Sequence, residues 1–186
     1  QKAQQFFVSQ RSSNTQVTHY LQERGLTSDT IEKFAIGYAP QTFPKQFFSG
    51  NDLSTVRTIG LVYQNATSTE LSCYFRKRVI FPIHNPKGEI VGFGGRALTD
   101  QQPKYLNSKE SALFHKSNIL YGLYQARQAT LDYLIVVEGY MDVLMLSNYG
   151  INNVVATLGT AITTQHLRQM FKYTHKIAFC FDGDQA

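Results

Sequence analysis

The chain has 186 residues, 42% of them hydrophobic, enough for a buried core in one domain or two small ones. Its net charge of +5 points to an anionic partner only where cations cluster, and no apolar run has bilayer-spanning length, so neither a membrane span nor export is expected. Two cysteines, Cys73 and Cys180, lie far apart in apolar surroundings with no close Cys or His, which argues against a disulfide framework or a zinc site and for a reducing cytoplasm.

Val17 to Arg24 reads as a short amphipathic helix ending at Gly25, and Ser28 is placed to cap a second helix through Ile31, Phe34 and Ala35 to Gly37. Phe6, Phe7, Phe47 and Phe48 are expected in small hydrophobic clusters. From about Leu61 to Leu98 the signals turn to β structure. Arg78 to Ile83 and Glu89 to Phe93 flank Asn85-Pro86-Lys87-Gly88, which predicts a hairpin. A polar loop follows from Thr99 to Pro103, then Lys104-Tyr105-Leu106-Asn107-Ser108, then a helix through Tyr121 to Gln128.

The last third alternates strand and helix. Strands are expected at about 133–137, 153–157 and 176–181, with helices at about 141–149 and 164–172 between them. That rhythm implies a parallel sheet with right-handed crossovers, whose ligands gather beyond the carboxyl ends of its strands. Glu138 ends the first strand, Thr157-Leu158-Gly159-Thr160 the second and Asp182 the third, all on one edge.

Two acidic motifs therefore converge: Glu138-Gly139-Tyr140-Met141-Asp142 and Asp182-Gly183-Asp184. Carboxylates beside a buried strand are costly unless a cation or donor meets them, and oxygen ligands without Cys or His suit Mg²⁺ or Mn²⁺. Gly139 would let the chain turn sharply after Glu138, and Tyr140 and Met141 read as packing residues. A pair of metals there could activate a hydroxyl and neutralise a pyrophosphate leaving group. Asp182-Gly183-Asp184 could instead open a helix–loop–helix calcium loop, although the Ile177–Phe181 run before it patterns as a buried strand.

The middle of the chain is basic and rich in glycine. Arg76-Lys77-Arg78 enters the first hairpin strand, Gly92-Phe93-Gly94-Gly95-Arg96 leaves the second, and Lys104, Tyr105, Asn107 and Lys116 follow. Cations interleaved with an aromatic and an amide suit a nucleic-acid backbone or a nucleoside triphosphate; a charged, solvated hairpin edge is the alternative for Arg76 to Arg78. His19, His84, His166 and His175 read as surface or capping groups.

Tyr20-Leu21-Gln22-Glu23-Arg24-Gly25-Leu26, Phe34-Ala35-Ile36-Gly37-Tyr38-Ala39-Pro40, Arg78-Val79-Ile80-Phe81-Pro82-Ile83, Gly92-Phe93-Gly94-Gly95-Arg96, Pro103-Lys104-Tyr105-Leu106-Asn107-Ser108, Val137-Glu138-Gly139-Tyr140-Met141-Asp142-Val143 and Asp182-Gly183-Asp184 stand here in one order. In that ordered set the chain resembles the catalytic core of bacterial DnaG-type DNA primase, over nearly its whole length. The resemblance implies an α+β N-terminal subdomain, residues 1–129, followed by an α/β TOPRIM subdomain with a parallel sheet, residues 130–186, incomplete at its C-terminus.

It further implies that Glu138, Asp182 and Asp184 are catalytic, metal-site carboxylates with Asp142 a supporting acid. Arg24, Arg76, Arg78, Arg96, Lys104, Tyr105, Asn107 and Lys116 fall at positions associated with template or nucleotide binding. The implied activity is cytoplasmic synthesis of short RNA primers at the replication fork, from ribonucleoside triphosphates on a single-stranded DNA template, with Mg²⁺ or Mn²⁺. Zinc would belong only to a family domain absent from this chain, and the replicative helicase would bind a region also absent. The 186 residues alone are expected to be weak or inactive. Two rivals remain: another TOPRIM enzyme, a topoisomerase or nuclease, and a non-catalytic module that binds single-stranded DNA.

Overall fold

The computed structural model describes residues 1–44, 52–64, 71–128 and 130–183, so Phe47, Phe48 and Asp184 lie outside the described residues. The chain forms two compact units, one of Gln1–Arg24, Ala35–Pro82 and Gly92–Leu113, the other of Gly25–Phe34, Ile83–Val91 and Phe114–Ala186.

The first unit begins with α1 (Lys2–Ser12) and α2 (Thr15–Glu23). Asn14 caps α2 by accepting from the Val17 amide at 3.2 Å, and the helix buries Val17 and Leu21. α1 carries no apolar period in the sequence; it is held by Ala3 and Phe7, the latter 1% exposed. The helix expected to reach Gly37 stops earlier. α3 (Ser28–Lys33) is capped by Thr27, whose Oγ1 accepts from the Thr30 amide, and not by Ser28. Beyond it Ala35 takes a φ of 48°, so the chain leaves the helix and Gly37 opens β1 (Gly37–Ala39).

α4 (Asp52–Thr58) precedes a two-stranded sheet of β2 (Val62–Gln64) and β3 (Leu71–Cys73). β4 (Arg78–His84) and β5 (Ile90–Ala97) make the expected hairpin, and with β6 (Tyr105–Asn107) they complete a sheet in the order β1-β4-β5-β6. At the hairpin turn the Asn85 side chain accepts from the amides of Lys87 and Glu89, and Gly88 takes a φ of +90°. Phe7 meets Phe43 and Phe93 edge-on at 5.6 and 5.3 Å, which places the described part of the aromatic cluster between α1 and the sheet.

α1 approaches β1 so closely that a Cβ on Gly37 would lie 2.5 Å from Phe7 Cβ and 2.8 Å from its carbonyl carbon. Backbone cannot swing aside as a flexible side chain can. Gly37→Ala should therefore cost about 2 kcal/mol or more of unfolding free energy in urea titration; a loss under about 0.5 kcal/mol would mean that α1 is not seated on β1.

The second unit contains α3, the short α5 (Leu123–Ala126), β7 (Leu134–Val137), α6 (Tyr140–Asn148), β8 (Val154–Ala156), α7 (Thr164–Met170) and β9 (Ile177–Phe179). β8 and β9 flank β7, both parallel to it, as the strand–helix alternation implies. Leu120, Leu123, Leu134, Val136, Val155 and Met170 form its buried core. α5 cannot extend back through Tyr121, because Tyr121 exchanges both backbone hydrogen bonds with Ala156 and Gly122 takes a φ of +85°. Asn148 on α6 accepts from the Thr27 amide and from the hydroxyls of Thr27 and Thr30, which fixes α3 against α6.

One strand departs from its sequence pattern. Ile177–Phe181 reads as buried, yet Phe179 and Phe181 are 50% and 48% exposed and Cys180 is exposed as well. β9 is an edge strand of this sheet; Ile177 packs against the core, while Phe179, and Phe181 just beyond the strand, stay open to solvent.

Candidate functional site

The sheet of the second unit brings the acids together. β7 ends at Val137 and delivers Glu138, β9 runs alongside β7, and the chain beyond β9 delivers Asp182. The Asp182 amide donates to Glu138 Oε1 at 3.0 Å, tying the two strand ends to each other. Thr157, after β8, sits beside them by its amide hydrogen bond to the Val137 carbonyl. Glu138, Thr157, Gly159, Thr160, Ile162 and Phe181 line a concavity of about 480 Å³ there. Because β9 is a strand in a parallel sheet, Asp182 does not follow a helix, which removes the helix–loop–helix calcium reading.

Gly139 does a different job from the one expected of it. Its φ of −132° and ψ of 171° are extended, open to any residue. What matters is proximity: the Gly139 amide donates to Asp142 Oδ2 at 2.9 Å, closing the first turn of α6, and a Cβ on Gly139 would lie 3.2 Å from that oxygen. Asp142 thus caps the helix that follows Glu138.

Partial burial pushes the Asp142 carboxyl above the usual carboxylate range, the Gly139 amide pulls it back, and the charges of Asp182 and Glu138 push it up again. The folded protein therefore holds that proton more tightly than the unfolded chain does. Stability is lost as pH rises from the unfolded Asp value, about 3.9, through the raised value, and stays lost above it. Asp142→Asn keeps an oxygen for Gly139 and removes the charge. Its thermal midpoint should exceed the parent's at pH 7, modestly because the side chain is solvent-accessible, and the gap should close below about pH 3. A lower midpoint at pH 7 would contradict this account.

Among the described residues no group of three or more His, Cys, Asp or Glu side chains is placed to hold a metal ion, and Asp184 lies outside those residues. Glu138, Asp142 and Asp182 supply oxygen donors only, and the charges of Asp182 and Glu138 bear on Asp142. Donors of that kind, without Cys or His, suit a hard divalent cation such as Mg²⁺ or Mn²⁺.

The first unit holds a cluster of cations and rings. The Arg96 guanidinium lies 5.7 Å from the Tyr20 ring centroid and 5.2 Å from that of Tyr105, and donates to the Tyr105 hydroxyl. Arg24 covers the same Tyr20 ring at 5.5 Å. Tyr20 was not singled out in the sequence; the i, i+4 spacing from Arg24 on α2 is the signal that could have found it. Register pairs Arg96 with Tyr105 and Gly95 with Leu106.

Arg78 is placed differently, being 1% exposed. Its Nη1 donates to the carbonyls of Gly95 and Lys104, so it braces β5 against the segment entering β6. The Lys104 side chain is exposed, Arg76 and Asn107 are half-buried, and the Asn107 carbonyl accepts from the Tyr74 hydroxyl. Lys116 belongs to the second unit. There the Lys116 carbonyl accepts from His166 Nε2, while His166 Nδ1 accepts from the Thr163 amide, an arrangement that needs the neutral ring. Burial pushes the His166 value down, against the backbone hydrogen bonds with Lys116 and Ile119 that push it up.

A parallel sheet carrying acids at its carboxyl edge in one unit, and a cation–aromatic cluster in the other, are features consistent with a TOPRIM-containing class of protein. The Toprim domain profile matches residues 132–186, and that of the DNA primase catalytic core, N-terminal domain, matches residues 6–127. The chain belongs to the DNA primase catalytic-core family. DNA primase of Pseudomonas aeruginosa is 46% identical over 174 residues, 90% of this chain and 26% of that protein. DNA primase of Escherichia coli is 44% identical over 178 residues, 92% of this chain and 30% of that protein. The chain therefore spans less than a third of these curated relatives. The Escherichia coli primase catalytic core superimposes with a TM-score of 0.93 at 40% identity, covering 99% of this chain and 61% of the other. A DnaG primase catalytic domain bound to single-stranded DNA gives 0.92 at 40% identity, covering 98% and 61%. The match over residues 6–127 favours a primase over other TOPRIM enzymes.

Proposed function

We propose that this chain is the nucleotidyl-transfer core of a primase that makes short RNA primers on single-stranded DNA. The observation that carries the reading is the tie between neighbouring parallel strand ends, where the Asp182 amide donates to Glu138 Oε1. Support for the partner comes from the similar DnaG catalytic domain bound to single-stranded DNA.

Residues 1–129 act as the template- and nucleotide-binding subdomain and 130–186 as the TOPRIM subdomain. Glu138, Asp182 and Asp184 would hold Mg²⁺ or Mn²⁺, which when bound would supply positive charge to lower the pKa of a primer 3′-hydroxyl and to neutralise a departing pyrophosphate. Asp142 orients the turn that presents Glu138. Arg24, Arg96 and Tyr105 hold the strand by charge and stacking; Arg76, Lys104 and Lys116 contact phosphates, and Asn107 offers an amide to a base or sugar. Arg78 acts from inside, keeping Lys104 and Gly95 in place. In the reaction the 3′-hydroxyl oxygen bonds to the α-phosphorus of the incoming ribonucleotide as the bond to pyrophosphate breaks, and the hydroxyl proton is released to solvent. Such a protein works in the cytoplasm at the replication fork, where a primase meets the helicase.

Mn²⁺ binding followed by electron paramagnetic resonance tests the site. Glu138→Gln and Asp182→Asn should each weaken it by about tenfold or more with the fold intact, since each removes an anionic ligand at nearly constant shape. Unchanged Mn²⁺ affinity in both variants would refute the centre.

A further inference from the structure

Two concavities in the first unit, about 390 and 240 Å³, share Tyr63 and Lys109 as lining residues and so lie side by side along one groove-like face. Lys109 Nζ lies 6.0 Å from the Tyr63 ring centroid and 5.5 Å from that of Tyr74. The Tyr74 ring is fixed because its hydroxyl donates to the Asn107 carbonyl. Arg76 and Arg78 line the smaller concavity, and Arg57 and Glu110 the larger. Among the described residues neither Lys109 nor Arg76 has an ion-pair partner, and Arg78 Nε is buried without a hydrogen-bond acceptor.

The groove is distinct from the Arg96 cluster. Neighbours on a strand point to opposite faces, so Leu106, which lines the groove, and Tyr105, which touches Arg96, lie on opposite sides of β6. Gly95 pairs with Leu106, and a Cβ there would lie 2.7 Å from Phe75 Cδ1 and 3.1 Å from Arg78 Cδ, so the bare glycine makes room for the guanidinium under the groove.

We infer that this groove is a second single-strand contact, in which Lys109 and Arg76 meet phosphates and Tyr63 and Tyr74 offer ring faces to bases, while the buried Arg78 supports the floor beneath them. Lys109 and Arg76, without ion-pair partners among the described residues, beside two tyrosine rings match a strand that carries both charge and π-faces; an acidic peptide would leave the rings unused. Two concavities in series fit successive nucleotides better than one mononucleotide. The inference rests on the reading that the chain binds single-stranded DNA and adds to it a track on the far side of β6.

Fluorescence anisotropy with a labelled oligodeoxynucleotide of about 20 bases, longer than one binding module occupies, tests it. Lys109→Ala should flatten the log affinity against log salt slope by about 0.7, one phosphate contact, and Tyr63→Leu should weaken binding about fivefold or more. Photo-crosslinking of a bromodeoxyuridine oligomer should label Tyr63 or Tyr74. Unchanged affinity and slope in both variants, with Lys104→Gln still weakening binding, would overturn the groove while leaving the proposed function standing. No binding by the parent chain would overturn both. Loss of ribonucleoside triphosphate binding in Lys109→Ala with oligomer affinity unchanged would make the occupant a nucleotide and overturn the strand assignment.

Discussion

Glu138→Gln, placed in a chain of the relatives' full length, should lower templated ribonucleotide incorporation by about a thousandfold or more, because a metal-bound site supplies several kcal/mol of transition-state charge stabilisation. Glutamine keeps an oxygen for the Asp182 amide, which Glu138 Oε1 now accepts at 3.0 Å. The strand ends therefore stay tied, and thermal stability should move little. The loss should fall on kcat, since the template-binding residues are untouched, and raising Mg²⁺ should recover only part of it. A variant that retains more than about a tenth of parental turnover would show that Glu138 lies outside the reacting centre.

The second large effect concerns the cation–aromatic cluster. Arg96 is 7% exposed and lies against two tyrosine rings, while the Lys104 side chain is open to solvent. Arg96→Gln with Lys104→Gln should weaken single-stranded DNA binding about tenfold to a hundredfold near physiological salt and flatten the salt slope by about 1.4, two contacts of about 0.7 each. Lys104→Gln alone should account for about half of the slope change. Because Arg96 is nearly buried, its variant must first be shown to melt cooperatively. A double variant with parental affinity and slope would move the binding face elsewhere.

The parallel sheet and its acidic edge were legible in the chain because they depend on local order. Strands alternate with helices, each strand ends in Glu138, Thr157 or the segment reaching Asp182, and parallel topology leaves no freedom about which edge they share. The hairpin around Gly88 was legible for the same reason, since its turn chemistry is written in consecutive residues. What depends on distant partners was not. α1 shows no apolar period because Ala3 and Phe7 suffice to seat it, and the exposure of Phe179 and Phe181 depends on what packs on the far end of the sheet and not on their hydrophobicity. Arg78 reads as a surface cation beside Arg76 and Lys77, yet the space left by Gly95 and the carbonyls of Gly95 and Lys104 draw it inside. Tyr20 meets Arg96 only through the fold of the first unit.

Product analysis of a templated reaction tests the central claim most directly. A full-length protein carrying these residues is incubated with single-stranded DNA, the four ribonucleotides and Mg²⁺ or Mn²⁺. The account predicts short RNA complementary to the template, absent without the divalent cation and absent from the Glu138→Gln protein. Strand cleavage in place of synthesis, or RNA made at equal yield by the Glu138→Gln protein, would contradict it.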